Sequence, residues 1–481
     1  MGFANLDYFL LIFYFIGITA FGAWLGRGQT SIRDYFLAGR TVPWWAIAFS
    51  IVATETSTLT IISTPGIAFG SNMTFLQLMI GYVIGRIIIS FLFLPYYFKG
   101  ELYTAYELLN QRFGSRTKNF TSGLFLVTRA LAEGVRVFAI SIIVSLIVKT
   151  NPLYSIVLVS LITLFYTFVG GMHAVIWTDV IQMVIYIGGT LVAFFQLLHQ
   201  IPGGWETVTA VAGPKFAIFD FSPNLLTAYT FWAGLLGGIF ITGASHGTDQ
   251  LIVQRLFAAR SERDGKMALI TSGFVVLFQF TLFLLIGIML YVYYRTFPPS
   301  VPFSSPDRIF PTYIITAMPT GISGLVIAAI FAAAMSNLSS ALNSLASTTL
   351  IDFYKPLLRP TATDAHYLKV SRGMTIAWGL VLIALAVLAS STKHVLETGL
   401  TISSLTWGCM LGIFLLAFLT KDLDEFSGLI GMSAGLAGIG YCFLRALVFK
   451  DPVIAWTWYA LVGTVVTVVV GVGTHQIRRS S

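Results

Sequence analysis

The chain has 481 residues, of which 56% are hydrophobic, 15% aromatic and only 10% charged, with a net charge of +8. A soluble chain carries about 25% charged residues, so this composition excludes a water-soluble globule and defines an all-α polytopic membrane protein. The two cysteines, Cys409 and Cys442, lie in apolar stretches and read as small buried hydrophobes, which excludes a disulfide framework. A helix needs about 20 apolar residues to cross a bilayer, and that ruler gives about 13 candidate helices. They fall near 5–25, 44–70, 74–98, 119–148, 153–171, 175–200, 228–250, 267–295, 310–348, 373–391, 397–420, 426–447 and 453–474.

The first of these has Asp7 and no Lys or Arg before its apolar run, with Arg27, Arg33 and Arg40 after it. It reads as a retained helix with its N-terminus outside. On that topology the inside segments 26–43, 99–118, 251–266, 352–372, 421–425 and the tail hold 18 Lys or Arg. The outside segments hold six: Lys149, Lys215, Arg295, Arg308, Lys393 and Lys450. This bias places the C-terminus in the cytoplasm and assigns the basic surplus to topology, not to a nucleic-acid partner. The longest outside segment, 201–227, is too short for a soluble domain, so the chain is expected to form one transmembrane domain over 1–481.

Two spans, five apart in the count, are interrupted. The second carries Ala53-Thr54-Glu55-Thr56-Ser57-Thr58, then Thr60, Ser63, Thr64, Pro65 and Gly66. The seventh carries Gly234, Gly237, Gly238, Thr242, Gly243, Ala244, Ser245, His246 and Gly247. Hydroxyl and glycine runs at matching positions point to inverted repeats around a midplane site, or to close helix packing. The ninth candidate exceeds one span and is expected to begin with an extracellular element at 311–319.

Charges in apolar spans cost at least about 2.5–3.5 kcal/mol each, so each needs a partner or a wet cavity. They are Glu55, Arg86, Arg129, Glu133, Arg136, Asp179 and Arg445, with Glu397 near a span end. Arg129, Glu133 and Arg136 share one helical face, as a structural ion pair or with one arginine left for a solute. Asp179 sits at the start of the sixth span, as a helix cap or as the anionic ligand of a cation. Arg445 reads as packing or snorkelling. In the ninth span Ser336, Ser339, Ser340, Asn343 and Ser347 follow helical spacing, so their oxygens line one face. Such a stripe is glue between helices or an oxygen cage for a hard cation. His173, His246 and His366 are too dispersed for a transition metal, and no Walker A loop, GxSxG elbow or HExxH is present. The chain therefore reads as a non-enzyme that borrows an ion gradient.

Four stretches resemble the sodium:solute symporter family. They are Gly39-Arg40 with Trp44-Trp45 and the Ser50–Ala53 helix; Tyr166-Thr167-Phe168-Val169-Gly170-Gly171-Met172-His173-Ala174 with Trp177-Thr178-Asp179; Gly247-Thr248-Asp249-Gln250 with Gln254-Arg255; and residues 332–354. The resemblance covers roughly residues 5–420 and implies a leucine-transporter-like fold. Two inverted five-helix repeats, at 44–200 and 228–420, would follow an extra N-terminal helix at 5–25 and precede two C-terminal helices at 426–474. A first sodium site is implied at Ala53, Thr56, Ala333, Ser336 and Asn337, where the family more usually has Ser or Thr at the last position. A second is implied at Asp179, Ser339 and Ser340, hence two sodium ions per cycle. Solute contacts carry over to Glu55, Ser57, Thr60, Thr242 and Ser245, with Gln77 and Arg129 or Arg136 added. The implied solute is small and polar: a sugar, amino-sugar, hydroxy acid or zwitterion. The expected protein is a sodium symporter of the inner membrane, sufficient as a monomer. Proton coupling on the same fold and a non-transporting solute sensor are the alternatives.

Overall fold

The computed structural model describes residues 4–26, 31–100, 102–148, 152–299, 302–303, 305–389 and 395–480. Arg27, Lys149 and Lys393 lie outside the described residues, as does the side chain of Glu397. Every regular element among the described residues is helical, apart from a single bridge between Val42 and Ala259.

In chain order, α1 (Asn5–Leu25) and the short α2 (Ile32–Leu37) precede a broken span, α3 (Trp44–Glu55) plus α4 (Thr58–Gly70). Next come α5 (Leu76–Leu92), α6 (Tyr106–Arg112), α7 (Ser115–Val148) and α8 (Pro152–Gln200), the last kinked at Gly171 where φ is 52°. A surface helix, α9 (Gly204–Ala212), leads to a second interrupted pair, α10 (Gly238–Gly247) and α11 (Gln250–Phe257). The chain continues through α12 (Glu262–Thr296), α13 (Ile309–Thr316), α14 (Ile322–Thr348), α15 (Asp364–Leu388), α16 (Val395–Leu419), α17 (Glu425–Val448) and α18 (Tyr459–Ser480).

Eight helices among the described residues are long and apolar enough to cross a membrane, or nine when α3 and α4 count as one span. The expectation of about 13 includes segments that are shorter, charged or interrupted. Leu76–Leu92 is a short apolar helix, and α7 carries the charges of Arg129, Glu133 and Arg136.

The break between α3 and α4 bends the chain by 66°. Thr56 and Ser57 are both extended, and the Ser57 N–H donates to the Thr60 hydroxyl at 3.3 Å, capping α4. Threonines at 54, 56, 58 and 60 favour this: β-branched residues are stiff, and their hydroxyls offer the backbone non-helical partners.

The hydroxyl-bearing helix α14 is the centre of the bundle. In the span 322–358 that contains it, 94% of the most apolar window is buried, and its neighbours are α8, α1, α7, α15 and α3. Its polar stripe therefore faces protein on every side rather than lipid.

The glycine run before α10 serves close packing. A Cβ on Gly81 of α5 would fall 2.3 Å from the Gly234 carbonyl oxygen, and one on Gly238 would fall 2.7 Å from the Leu78 carbonyl. Helices approach this closely only through small residues. The interruption itself comes later, at Thr248 and Asp249, between α10 and α11. Gly81→Ala is expected to destabilise the protein by about 1–3 kcal/mol through overpacking, read as a lowered melting temperature in detergent. An unchanged melting temperature would contradict the close approach.

One expectation is corrected here. The segment 251–266 was expected as a cytoplasmic connection, but its first part is the buried helix α11, and Arg255 is fully buried. A broken helix reads as a loop because its second half is only 8 residues long. Arg445, by contrast, lies near a helix end and pairs with Asp451 while partly exposed.

Candidate functional site

A cavity with about 930 Å³ of empty space, part of it open to solvent, sits beside the α3–α4 break. Of the expected solute residues, Glu55, Ser57, Thr60, Arg129, Arg136 and Ser245 line it. Much of the remaining wall is apolar or aromatic, including Phe75, Met79, Tyr82, Phe280, Trp407 and Trp456. Such a wall with few convergent polar groups is the usual make-up of a small-molecule pocket.

Gln77 and Thr242 do not line this cavity. The Gln77 amide is committed to the Thr74 and Tyr229 carbonyls, both at 3.1 Å, and it accepts the Asp220 N–H at 3.1 Å. It ties the loop before α10 to α5. Thr242 is fully buried, with its methyl packed toward Gly85.

The arginines around the cavity all have carboxylate partners. Arg86, itself fully buried, pairs with Glu55 and donates to the Ser272 hydroxyl at 2.6 Å. His246 Nε2 stands 3.4 Å from the same Glu55 carboxylate, while its Nδ1 meets the Ser245 hydroxyl at 2.8 Å. Arg129 pairs with Asp249 and reaches Glu133 at 3.1 Å. Asp249 also caps α11 by accepting the Leu251 N–H at 3.0 Å, so the second interruption is tethered to α7. Arg136 reaches Glu133 at 2.5 Å and is the more open arginine, its side chain 17% exposed against 5% for Arg129.

Behind the break lies a second cluster, on Asp179 of α8. Ser336 of α14 donates to Oδ1 at 2.6 Å. Ser50 of α3 donates to Oδ2 at 2.5 Å, and Arg255 of α11 donates to the same oxygen at 3.0 Å. Arg255 also bonds Ser340 and donates to the Ser50 hydroxyl at 2.8 Å. Thr54 completes the ring, 3.1 Å from the Ser340 hydroxyl. Asp179, Ser50, Thr54, Ser336, Ser340 and Arg255 are all buried. Ser339 stays apart: its hydroxyl donates to the Ser336 carbonyl at 3.0 Å. Among the described residues no three His, Cys, Asp or Glu side chains converge, and this cluster pairs a single carboxylate with one guanidinium inside a ring of hydroxyls.

The other expected sodium ligands divide. Ala53 and Ala333 are buried. The Thr56 hydroxyl donates to the Val52 carbonyl at 2.8 Å and accepts from Gln279 Nε2 at 2.7 Å. Asn337 donates its amide to the Thr54 carbonyl at 2.6 Å and accepts from Arg136 at 3.4 Å.

Sequence reasoning assigned no role to Ser50, Thr54, Asp249 or Arg255, and flagged Arg86 without a partner. Ser50 and Thr54 are one helical turn apart, a spacing that could have marked a second hydroxyl face toward Asp179.

Interrupted helices around a cavity, with a buried carboxylate–hydroxyl cluster behind them, define a multi-pass secondary transporter. More particularly, the chain belongs to the sodium:solute symporter family, whose model matches residues 35–435. The sodium/sialic acid symporter NanT of Aliivibrio fischeri is 30% identical over 100% of this chain and 94% of its own length. The substrate-bound outward-open structure of a Na+-coupled sialic acid symporter superposes with a TM-score of 0.90 at 29% identity, covering 98% of each chain. Mhp1, a nucleobase-cation-symport-1 family transporter, shares the fold at a TM-score of 0.58 and 14% identity, over 92% of this chain and 94% of its own. The protein is thus a sodium:solute symporter with a leucine-transporter-like fold, not an enzyme, and the family resemblance of its four motifs is borne out.

Proposed function

We propose that this chain imports a small polar organic solute together with sodium by alternating access, across an inner membrane with its N-terminus outside. The observation that carries the reading is the Asp179 cluster, which joins α3, α8, α11 and α14 at the break that also borders the cavity. Sodium binding there would fix α3 against α14 and hold the cavity wall in a solute-ready form; solute binding would then permit closure. The repeats at 44–200 and 228–420 would move against one another, each carrying one interrupted span.

Of the two sodium positions that the family resemblance implies, the Asp179 cluster has the stronger support. Arg255 and Ser50 hold Oδ2, which leaves Oδ1, bonded to Ser336, as the oxygen offered to a cation. Arg136 and the hydroxyls of Ser57, Thr60 and Ser245 would hold the solute's polar groups, and the sialic acid symporters among its relatives favour an acidic solute.

Uptake into proteoliposomes of a panel of labelled sugars, amino-sugars, hydroxy acids and zwitterions, at fixed pH, tests this. Replacing sodium by choline is expected to abolish uptake. Undiminished uptake in choline would sink sodium coupling and favour the proton-coupled alternative. Ser336→Ala removes a charge-assisted hydrogen bond worth about 1.5–3 kcal/mol. It is expected to raise the half-saturating sodium concentration roughly tenfold or more, and an unaltered sodium dependence would remove Ser336 from the site.

A further inference from the structure

His246 of α10 lines the cavity with a side chain only 2% exposed. Its two ring nitrogens face different neighbours: Nδ1 lies 2.8 Å from the Ser245 hydroxyl, and Nε2 lies 3.4 Å from the Glu55 carboxylate. The buried Nε2 nevertheless has no hydrogen-bond partner among the described residues. A carboxylate only accepts, so the ring nitrogen that faces it carries a hydrogen, and Nδ1 of the neutral ring then accepts from Ser245. Nε2–H is thus a buried donor at the cavity wall with its bond unmade, and such a donor is costly until something satisfies it. A molecule entering the cavity can supply that partner.

Glu55 sets what the partner must be. Its side chain is 15% exposed and already paired with Arg86, so an acceptor that needs no further cation stands beside the unmet donor. The two facing atoms are 3.4 Å apart. A third atom about 2.8 Å from each completes a triangle on that base, within hydrogen-bond range of both. That atom must accept from Nε2–H and donate to the carboxylate. A hydroxyl does both through one oxygen, whereas an ammonium only donates and a carboxylate only accepts. An ammonium there would also meet the Arg86 guanidinium, and a carboxylate would face Glu55.

We infer that His246 and Glu55 form a hydroxyl-selective edge of the cavity, so that the solute is a hydroxy acid or a sugar and not an amino acid or amino-sugar carrying an ammonium at that position. The inference rests on the solute cavity of the sodium-coupled reading above and names what that cavity selects. Ser245 acts through His246: it holds the ring with Nε2–H turned toward Glu55.

The test is calorimetric binding to the purified full chain in nanodiscs at saturating sodium, with two matched sets of probes. One is lactate, propionate and alanine; the other is glucose with its monodeoxy and monoamino analogues. In at least one set the hydroxylated member is expected to bind roughly tenfold or more tighter than its deoxy and amino counterparts. His246→Phe keeps a ring but removes the donor, and is expected to bring that preference within about twofold; His246→Gln keeps an N–H and is expected to retain most of it. Deoxy or amino members that bind as well as the hydroxylated ones in both sets would overturn the inference, as would binding of no hydroxylated probe. A folded His246→Phe protein that keeps the full preference would overturn the role of His246. The parent's preference decides even where a variant fails to fold. Repeating the parent titrations in choline keeps the two readings apart: hydroxyl preference with no sodium effect would sink sodium coupling and leave the edge standing, and sodium-dependent binding without the preference would do the reverse.

Discussion

Asp179→Asn is expected to abolish sodium binding at its own cluster and, separately, to destabilise the fold. Both members of the Asp179–Arg255 pair are fully buried, and removing one partner of a buried pair costs about 3–5 kcal/mol because it strands the other charge. The single variant therefore confounds the two effects. The double variant Asp179→Asn with Arg255→Gln separates them, since no uncompensated charge remains and the amides can still bond Ser50, Ser336 and Ser340. It is expected to recover most of the lost melting temperature while showing much weaker sodium-dependent stabilisation than the parent. Sodium-dependent stabilisation that is undiminished in a well-folded double variant would remove Asp179 from the cation site and return it to the role of a structural anchor for α11.

The family and the helical class were legible because their signals are local. Composition alone requires a membrane protein, and the threonine-rich run at 54–60 marks the α3–α4 break within a residue or two. The second interruption was legible only in part. Its glycines, Gly234 and Gly238, are there for close packing against α5, whereas the break falls at Thr248 and Asp249. Partners far apart in the chain were not legible at all. Glu55 and Arg86 are 31 residues apart, Asp179 and Arg255 are 76 apart, and Arg129 and Asp249 are 120 apart. Each was visible as an isolated cost in an apolar span or, for Arg255 and Asp249, as an ordinary polar residue of a connection. Which charge neutralises which is a property of the packed bundle, and helical periodicity reaches only the neighbours one turn away, as with Arg129, Glu133 and Arg136.

The Glu55–Arg86 pair yields the second large effect. As a lone acid in the cavity wall, Glu55 would receive a solute ammonium, and Glu55→Gln would alter selectivity at little cost to the fold. The structure gives the carboxylate a resident cation: Arg86, fully buried, is held by Glu55 and otherwise by the Ser272 hydroxyl. Glu55 is also the last residue of α3, where a negative charge opposes the helix dipole, so the guanidinium stabilises it twice over. Glu55→Gln is therefore expected to destabilise the protein by about 3–5 kcal/mol and to weaken every solute together. Pairing it with Arg86→Gln removes the stranded charge, and this double variant is expected to regain stability with its sodium dependence unchanged. Thermal unfolding and sodium titration of the two variants read both outcomes without a known solute. A Glu55→Gln protein as stable as the parent, with selective loss of amine-bearing solutes alone, would reverse the assignment and make Glu55 the solute's counter-ion.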